Sequence, residues 1–352
     1  MHENNQQVVI DGRRISAEDP PYIIAEMSAN HNGRIETAMD LIVRAKACGA
    51  HAVKLQTYRP DTITLNSTTD DFQIKGGLWD GRTLYDLYDE AHMPWDWHAP
   101  LFAKAREVGI TIFSSPFDST AVDLLEDLNA PAYKIASFEA VDLPLIRYVA
   151  STKKPMIIST GMADAEEIAE AIDAARSGGC KELIVLHCVS AYPALAADYN
   201  LKTLVDMRER FGVLTGLSDH TIDNTTAIVS VALGACLIEK HFTLDRQGGG
   251  PDDSFSLEPA DLENLCVGAK TAWESLGRVD YGRKSGEIGN AQFRRSLYFV
   301  DDIAQGATIS AQAVRSVRPG FGLAPKHLER VIGKKATRDI RKNTPVTEDS
   351  FA

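Results

Sequence analysis

The sequence predicts a (β/α)8 barrel followed by a small β-rich domain. Three observations lead there. Eight short apolar runs alternate with amphipathic stretches over about 255 residues, the size of such a barrel. Polar residues gather at the C-terminal ends of those runs, the face where barrels build their sites. The rhythm then stops near Tyr281, and short strand-like pieces punctuated by Gly and Pro take over. A doubly wound open sheet is the competing architecture, but it does not require eight strands.

The expected strands are Tyr22 to Glu26, Ala52 to Gln56, Thr111 to Ser115, Ala132 to Ala136, Met156 to Thr160, Leu183 to His187, Val213 to Leu217 and Ala235 to Glu239. Each is too short for a helix and most are flanked by turn residues. Ile35 to Cys48 carries a helical stripe at Ala38, Leu41, Ile42 and Ala45. Asp164 to Arg176 opens on acids, as helix N-termini prefer. Asp223 to Leu233 and Pro259 to Leu276 complete the pattern around the last two strands. One connection is long: from Tyr58 to about Pro94, carrying Asp61, Phe72, Trp79, Asp80, Tyr85 and Tyr88. It reads equally as a specificity loop or as an excursion with a small core of its own. The expected boundaries are residues 1–283 for the barrel, 284–293 for a linker and 294–352 for the small domain.

Composition narrows the function. The chain has 352 residues, 44% hydrophobic and 24% charged, with ample core. A net charge of -12 argues against a nucleic-acid partner. The five cysteines are scattered without a C-x-x-C, which suggests reduced thiols and a cytoplasmic home. The opening Met1-His2-Glu3-Asn4-Asn5 is polar, unlike a signal peptide, and no run is long and apolar enough for a membrane span.

The strand ends carry the chemistry. His220 and His241 end consecutive strands joined by a helix, so they should stand side by side and read as a metal site. The plain alternative is two polar residues at strand ends. Around them the strand ends and the turns just beyond supply Glu26, Lys54, Gln56, Lys134, Ser137, Ser159, Ser190, Tyr192, Ser218 and Asp252. Two lysines with several hydroxyls make a cradle for a phosphate or carboxylate. Acids and histidines can hold a metal and move protons. Lys54 or Lys134 could instead form a Schiff base, as in barrel aldolases, and Lys54 could serve only as a salt bridge in the barrel mouth.

These residues lie in longer runs. Tyr22-Ile23-Ile24-Ala25-Glu26-Met27-Ser28-Ala29-Asn30-His31-Asn32-Gly33, Ala52-Val53-Lys54-Leu55-Gln56-Thr57, Tyr133-Lys134-Ile135-Ala136-Ser137, Leu217-Ser218-Asp219-His220 and Glu239-Lys240-His241-Phe242-Thr243 together resemble the sialic acid synthase family. The tail, with Val317-Arg318-Pro319-Gly320, resembles that family's antifreeze-like (SAF) domain. The resemblance implies a barrel plus SAF domain that condenses phosphoenolpyruvate with an open-chain amino-sugar aldehyde. It also implies a domain-swapped homodimer and a divalent cation, Mn2+ or Mg2+, on His220 and His241. By the same resemblance Lys54, Lys134, Ser137, Ser159 and Ser218 grip phosphoenolpyruvate, while Glu26 and Asp252 bind sugar hydroxyls or the metal's water and one of them moves protons. Gln56 and Tyr192 line the sugar site, and Arg318 reaches the neighbouring subunit.

The first strand ends Glu26-Met27-Ser28-Ala29, where sialic-type members read Glu-Ile-Gly. The runs from Thr57 to Leu65, Leu84 to Tyr88 and Pro94 to His98 look like the pseudaminic acid branch of the family. The legionaminic and N-acetylneuraminate branches are the alternatives. A binding-only protein is a further one, because the tail is similar to antifreeze proteins.

Overall fold

In the computed structural model, residues 6–352 are described; the polar run Met1-His2-Glu3-Asn4-Asn5 lies outside them. The chain divides into two compact units, one ending at Gly277 and one running from Arg278 to Ala352.

The first unit begins with an antiparallel hairpin, β1 (Val8–Ile10) and β2 (Arg13–Ile15). Its two-residue turn is Asp11-Gly12, with φ of 49° and 76°, the backbone that a tight right-twisted hairpin demands. Then come β3 (Tyr22–Glu26), β4 (Ala52–Thr57), β5 (Thr111–Pro116), β6 (Tyr133–Ile135), β7 (Met156–Ser159), β8 (Leu183–Cys188), β9 (Leu214–Asp219) and β10 (Leu237–His241). All pair in parallel and in sequence order, and β10 closes on β3 to complete a barrel. The helices around it are α1 (Ile35–Ala47), α2 (Pro60–Ile63), α3 (Leu84–Ala91), α4 (Trp95–Val108), α5 (Ser119–Asp127), α6 (Leu143–Ser151), α7 (Ala165–Gly178), α8 (Thr203–Phe211), α9 (Thr225–Ala232) and α10 (Pro259–Leu276).

Local chemistry explains the element ends. Asp164 caps α7 by accepting from the Glu166 and Glu167 amides, and Glu167 accepts in return from the Asp164 amide. Apolar side chains on the outward faces of the strands pack against the helices, as Ile23, Val53, Ile135 and Ile158 do with Leu41, Ile42, Ile146 and Ile172. Inside the barrel, Ile24, Phe113, Ile157 and Ile184 fill the lower layers, and Val8, Ile10 and Ile15 of the hairpin join them as a plug. The last two strands run two residues beyond the expected Leu217 and Glu239. The added residues Asp219 and Lys240 are polar but pair with each other in the wall, so strand geometry continues through them.

The second unit has its own antiparallel pair, β11 (Ser296–Phe299) and β12 (Val314–Val317), and a short helix α11 (Leu328–Val331). Leu297, Phe299, Ile309, Val331 and Val346 form its core. Arg318 follows β12 directly and is exposed. Among the described residues, no helix is long and apolar enough to cross a membrane.

Candidate active site

The C-terminal ends of the strands enclose a network of buried charges. Glu26 on β3 and Lys54 on β4 are register partners, and Lys54 Nζ lies 2.9 Å from Glu26 Oε2. Lys54 also stands 3.5 Å from Glu239 Oε1, and Lys134 stands 3.2 Å from the same oxygen. Ser115 Oγ accepts from Lys54 at 3.1 Å, and Ser218 Oγ donates to Glu239 at 3.4 Å. One carboxylate, Glu239, therefore holds two ammoniums together on the floor of the site. Burial would lower Lys54, but Glu239 and Glu26 outweigh it and hold its pKa above the ordinary value. For Lys134, burial wins over the attraction of Glu239 and, helped by repulsion from Lys54, sets the pKa below the ordinary value. The salt-bridge expectation for Lys54 is thus met in geometry, within a cluster of two lysines and two glutamates rather than an isolated pair.

A second chain of contacts leads from the floor to the rim. Gln56 Nε2 donates to Glu26 Oε1 at 2.9 Å and to Ser28 Oγ at 3.0 Å, and Ser28 donates to Asp252 Oδ2 at 2.5 Å. Asp252 is placed by the first loop. Asn30 donates to the Phe242 carbonyl and to Ser256 Oγ, and Asn32 donates to Asp253. The run Ser28-Ala29-Asn30-His31-Asn32-Gly33 acts as a buckle between the loops after β3 and β10. His31 is buried against Trp97, and burial depresses it to about 4, so it stays neutral within the buckle.

Ser137 and Ser190 converge on Gly161: its amide donates to Ser137 Oγ at 3.1 Å, and a Cβ there would stand 2.1 Å from Ser190 Oγ. Only glycine leaves both hydroxyls room. Ser159 ends β7 with a buried hydroxyl that has no hydrogen-bond partner among the described residues, and Oε2 of Glu239 likewise has none. An anionic group accepting from the serines would satisfy the first of these.

His220 and His241 stand together, ring centroids 5.3 Å apart, with Tyr192 4.4 Å from the His220 ring. The His220 amide donates to Tyr199 Oη at 2.7 Å, its carbonyl accepts from Ala194, and Nδ1 meets the Val189 carbonyl at 2.8 Å. Its remaining polar atom, Nε2, has no protein partner among the described residues. His241 Nδ1 is buried without a partner, 3.8 Å from Asp252 Oδ2. Burial, then the nearby His220 and lysines, keep its pKa well below the ordinary value, so the ring is neutral and fit to be a ligand. No group of three or more His, Cys, Asp or Glu side chains among the described residues is arranged to hold a metal. The residues present fit a cation held by two imidazoles that takes its other ligands from water and substrate.

Above the floor opens a cavity of about 580 Å³. Gln56, Ser137, Ser190, Tyr192, His241 and Asp252 line it, and one wall is apolar, built from Tyr58, Ile74, Trp79, Leu87, Tyr88 and Phe117. The long connection after β4 supplies most of that wall; Trp79 Nε1 anchors it on the Pro251 carbonyl at 3.2 Å, while Asp61 and Asp80 face outward.

Of the residues singled out from sequence, Glu26, Lys54, Gln56, Lys134, Ser137, Ser159, Ser190, Tyr192, Ser218, His220, His241 and Asp252 all lie at this end of the barrel. Arg318 belongs to the other unit. Glu239, Ser28 and Ser115 stand among the polar residues at the strand ends in the sequence, but no role was assigned to them there. Glu239 was visible as an acid one strand position from Lys240, and side-chain alternation could have assigned it to the interior. Glu139 was missed altogether. It lines the cavity with Oε2 unpartnered, and burial pushes its carboxyl up to about 7.

A raised carboxyl contributes stability below the ordinary carboxylate range and loses it as pH rises to about 7. Glu139→Gln is expected to remove that loss and gain up to about 3 kcal/mol over the parent at pH 8, but not at pH 4. Urea unfolding at the two pH values checks this; an equal effect at both would contradict it.

Comparison with known proteins places the chain in a family. Residues 41–281 match the NeuB family and residues 294–352 the SAF domain. The chain belongs to the NeuB family. That is the sialic acid synthase family whose motifs it carries, and the chain is accordingly an enzyme, a condensing synthase of the transferase class. It is 44% identical to a pseudaminic acid synthase of Campylobacter jejuni over 332 residues, spanning 94% of this chain and 96% of that one. It is 35% identical to an N,N'-diacetyllegionaminic acid synthase of Legionella pneumophila, over 92% of each chain. Among solved structures, the N-acetylneuraminic acid synthetase of Leptospira borgpetersenii, in complex with citrate, superposes with a TM-score of 0.72 at 27% identity, over 82% of this chain and 96% of that one.

Proposed function

We propose that this enzyme condenses phosphoenolpyruvate with 2,4-diacetamido-2,4,6-trideoxy-altrose to give pseudaminic acid and phosphate. The observation that carries the reading is the 44% identity to a pseudaminic acid synthase across nearly the whole of both chains. The site agrees: a floor with two lysine ammoniums to meet an anion, below a cavity with an apolar wall suited to a deoxy sugar.

In this reading Lys54 and Lys134 neutralise the phosphate, with Ser137, Ser159 and Ser190 donating to its oxygens and Ser218 turning its hydroxyl from Glu239 to the anion when it binds. Gln56 and Tyr192 orient the sugar so that C3 of phosphoenolpyruvate faces the aldehyde carbon. Attack there leaves positive charge at C2, which water captures, and the tetrahedral product releases phosphate by C–O cleavage. Glu26 and Asp252 are the acids placed to move the protons of these steps. A divalent cation, Mn2+ or Mg2+, on His220 and His241 supplies Lewis-acid polarisation of the aldehyde. The five cysteines are all free, which suits a reducing cytoplasm.

Phosphate release from phosphoenolpyruvate with Mn2+ tests the reading. The panel is the altro sugar, its legionaminic counterpart and N-acetylmannosamine. Release with the altro sugar alone supports it, and release with another sugar alone moves the enzyme to that branch. No release from folded, metal-loaded protein overturns the condensation.

We also place Arg318 in the active site of a second copy, within a domain-swapped homodimer. Its exposed guanidinium has no ion-pair partner among the described residues of its own chain. Arg318→Ala and His220→Ala proteins, each inactive, are expected to regain about a quarter of parental activity when their subunits are exchanged. A mixture that stays inactive removes Arg318 from that role.

A further inference from the structure

The mouth of the barrel contains a further buried ion pair, separate from the lysine–glutamate cluster and outside the lining of the active-site cavity. Asp219 on β9 and Lys240 on β10 are direct register partners, and both side chains are almost fully buried. By strand alternation they point away from Ser218 and Glu239, which meet inside the barrel. Lys240 Nζ donates to Asp219 Oδ2 at 2.8 Å, to the Thr221 carbonyl at 2.6 Å and to the Asp223 carbonyl at 2.8 Å. All three ammonium protons are used. Asp219 accepts in addition from the Thr221 amide at 2.9 Å and from its hydroxyl at 3.0 Å.

These bonds grip the chain on both sides of His220, at Asp219 and at Thr221. They also grip it immediately before His241, at Lys240. No bond of the pair reaches either imidazole. We infer that Asp219 and Lys240 are positioning residues, a clamp across β9 and β10 that fixes the separation and direction of the His220 and His241 rings for a divalent cation. The inference rests on the cation reading above and goes beyond it by assigning the ligand geometry to a charge pair outside the cavity. A buried ion pair is seldom the most stabilising way to fill its space, since matched apolar groups serve as well or better. Its retention here is explained by direction. The lysine fans its protons over the end of β9 and two points of the β9–α9 loop, which no apolar side chain can do.

The deciding variant is Asp219→Asn with Lys240→Met, which removes both charges while keeping volume. It is expected to melt within a few degrees of the parent. Its affinity for Mn2+, followed by electron paramagnetic resonance of the free ion, is expected to fall by about 10- to 100-fold, the effect of losing groups that orient metal ligands. The ring nitrogen signals of His220 and His241 in metal-free protein are expected to broaden. A folded double variant with Mn2+ affinity within twofold of the parent and sharp ring signals would overturn the clamp. If the double variant does not fold, Thr221→Val decides the question by removing only the hydroxyl: a loss of threefold or more in Mn2+ affinity supports the clamp, and no loss overturns it. His220→Ala with His241→Ala is the control. If it binds Mn2+ as the parent does, the cation reading fails, and the ring signals alone decide whether the pair orders the histidines.

Discussion

Lys134→Met is expected to lower kcat/KM for phosphoenolpyruvate by about a thousandfold, roughly 4 kcal/mol. Lys134 is almost completely buried, and its ammonium lies 3.2 Å from Glu239. Removing it does not orphan that carboxylate, because Lys54 remains 3.5 Å away. The fold should therefore tolerate the change, and methionine fills most of the vacated volume. The loss falls on the anion. A phosphate on this floor meets two point charges, and the variant offers one. The phosphate is present in both ground and transition states, so KM is expected to rise as well as kcat to fall. Steady-state kinetics with each substrate varied separates the two. Values within threefold of the parent would remove Lys134 from the phosphate cradle. The depressed pKa of Lys134 also makes it the lysine suited to a Schiff base. Borohydride with either substrate is expected to leave no adduct on it, and a trapped adduct would redirect the chemistry to an aldolase.

Glu239→Gln should act in the opposite way, chiefly on the fold. Glu239 is the counter-charge shared by Lys54 and Lys134. Glutamine leaves two buried ammoniums with only Glu26 to balance them. Breaking a buried pair in this manner costs about 3 to 5 kcal/mol. The same defect makes the floor more attractive to anions. Inorganic phosphate or phosphoenolpyruvate is therefore expected to raise the melting temperature of the variant more than that of the parent, by mass action on the native state. A variant as stable as the parent, with no larger response to phosphate, would show that Glu239 is not the hub of the cluster. Together the two substitutions separate what the lysines do for substrate from what the acid does for the lysines.

The barrel was legible because its strands are apolar on both faces and its helices on one, so periodicity alone separates them. The short hairpin at Val8–Ile10 and Arg13–Ile15 was not read, although Asp11-Gly12 is a hairpin turn; the two arginines that follow it hide the second strand's apolar alternation. The ends of β9 and β10 were placed too early because Asp219 and Lys240 look like loop residues until their mutual burial is seen. In the site, residues at strand ends were legible one at a time. Their pairing was not: that Glu239 serves two lysines, or that Gln56 links Glu26 to Ser28, depends on barrel closure and stagger. Glu139 escaped because it lies in a turn after β6, and only the cavity shows that its carboxyl faces inward.

The closing pair of the barrel joins His241 to Glu26 across most of the chain. Glu26, Lys54 and Lys134 leave the ribosome well before Glu239 and His241, which arrive together on the last strand. Until β10 docks, the two lysines lack their common counter-ion and the histidine pair has one member. A chain interrupted just before β10 holds most of the barrel's sequence but no competent centre. Activity is thus an all-or-none report on completed folding, and long-range closure of this kind is slow to form. Nascent or truncated copies of this enzyme would be silent passengers in the cell, unable to consume phosphoenolpyruvate unproductively.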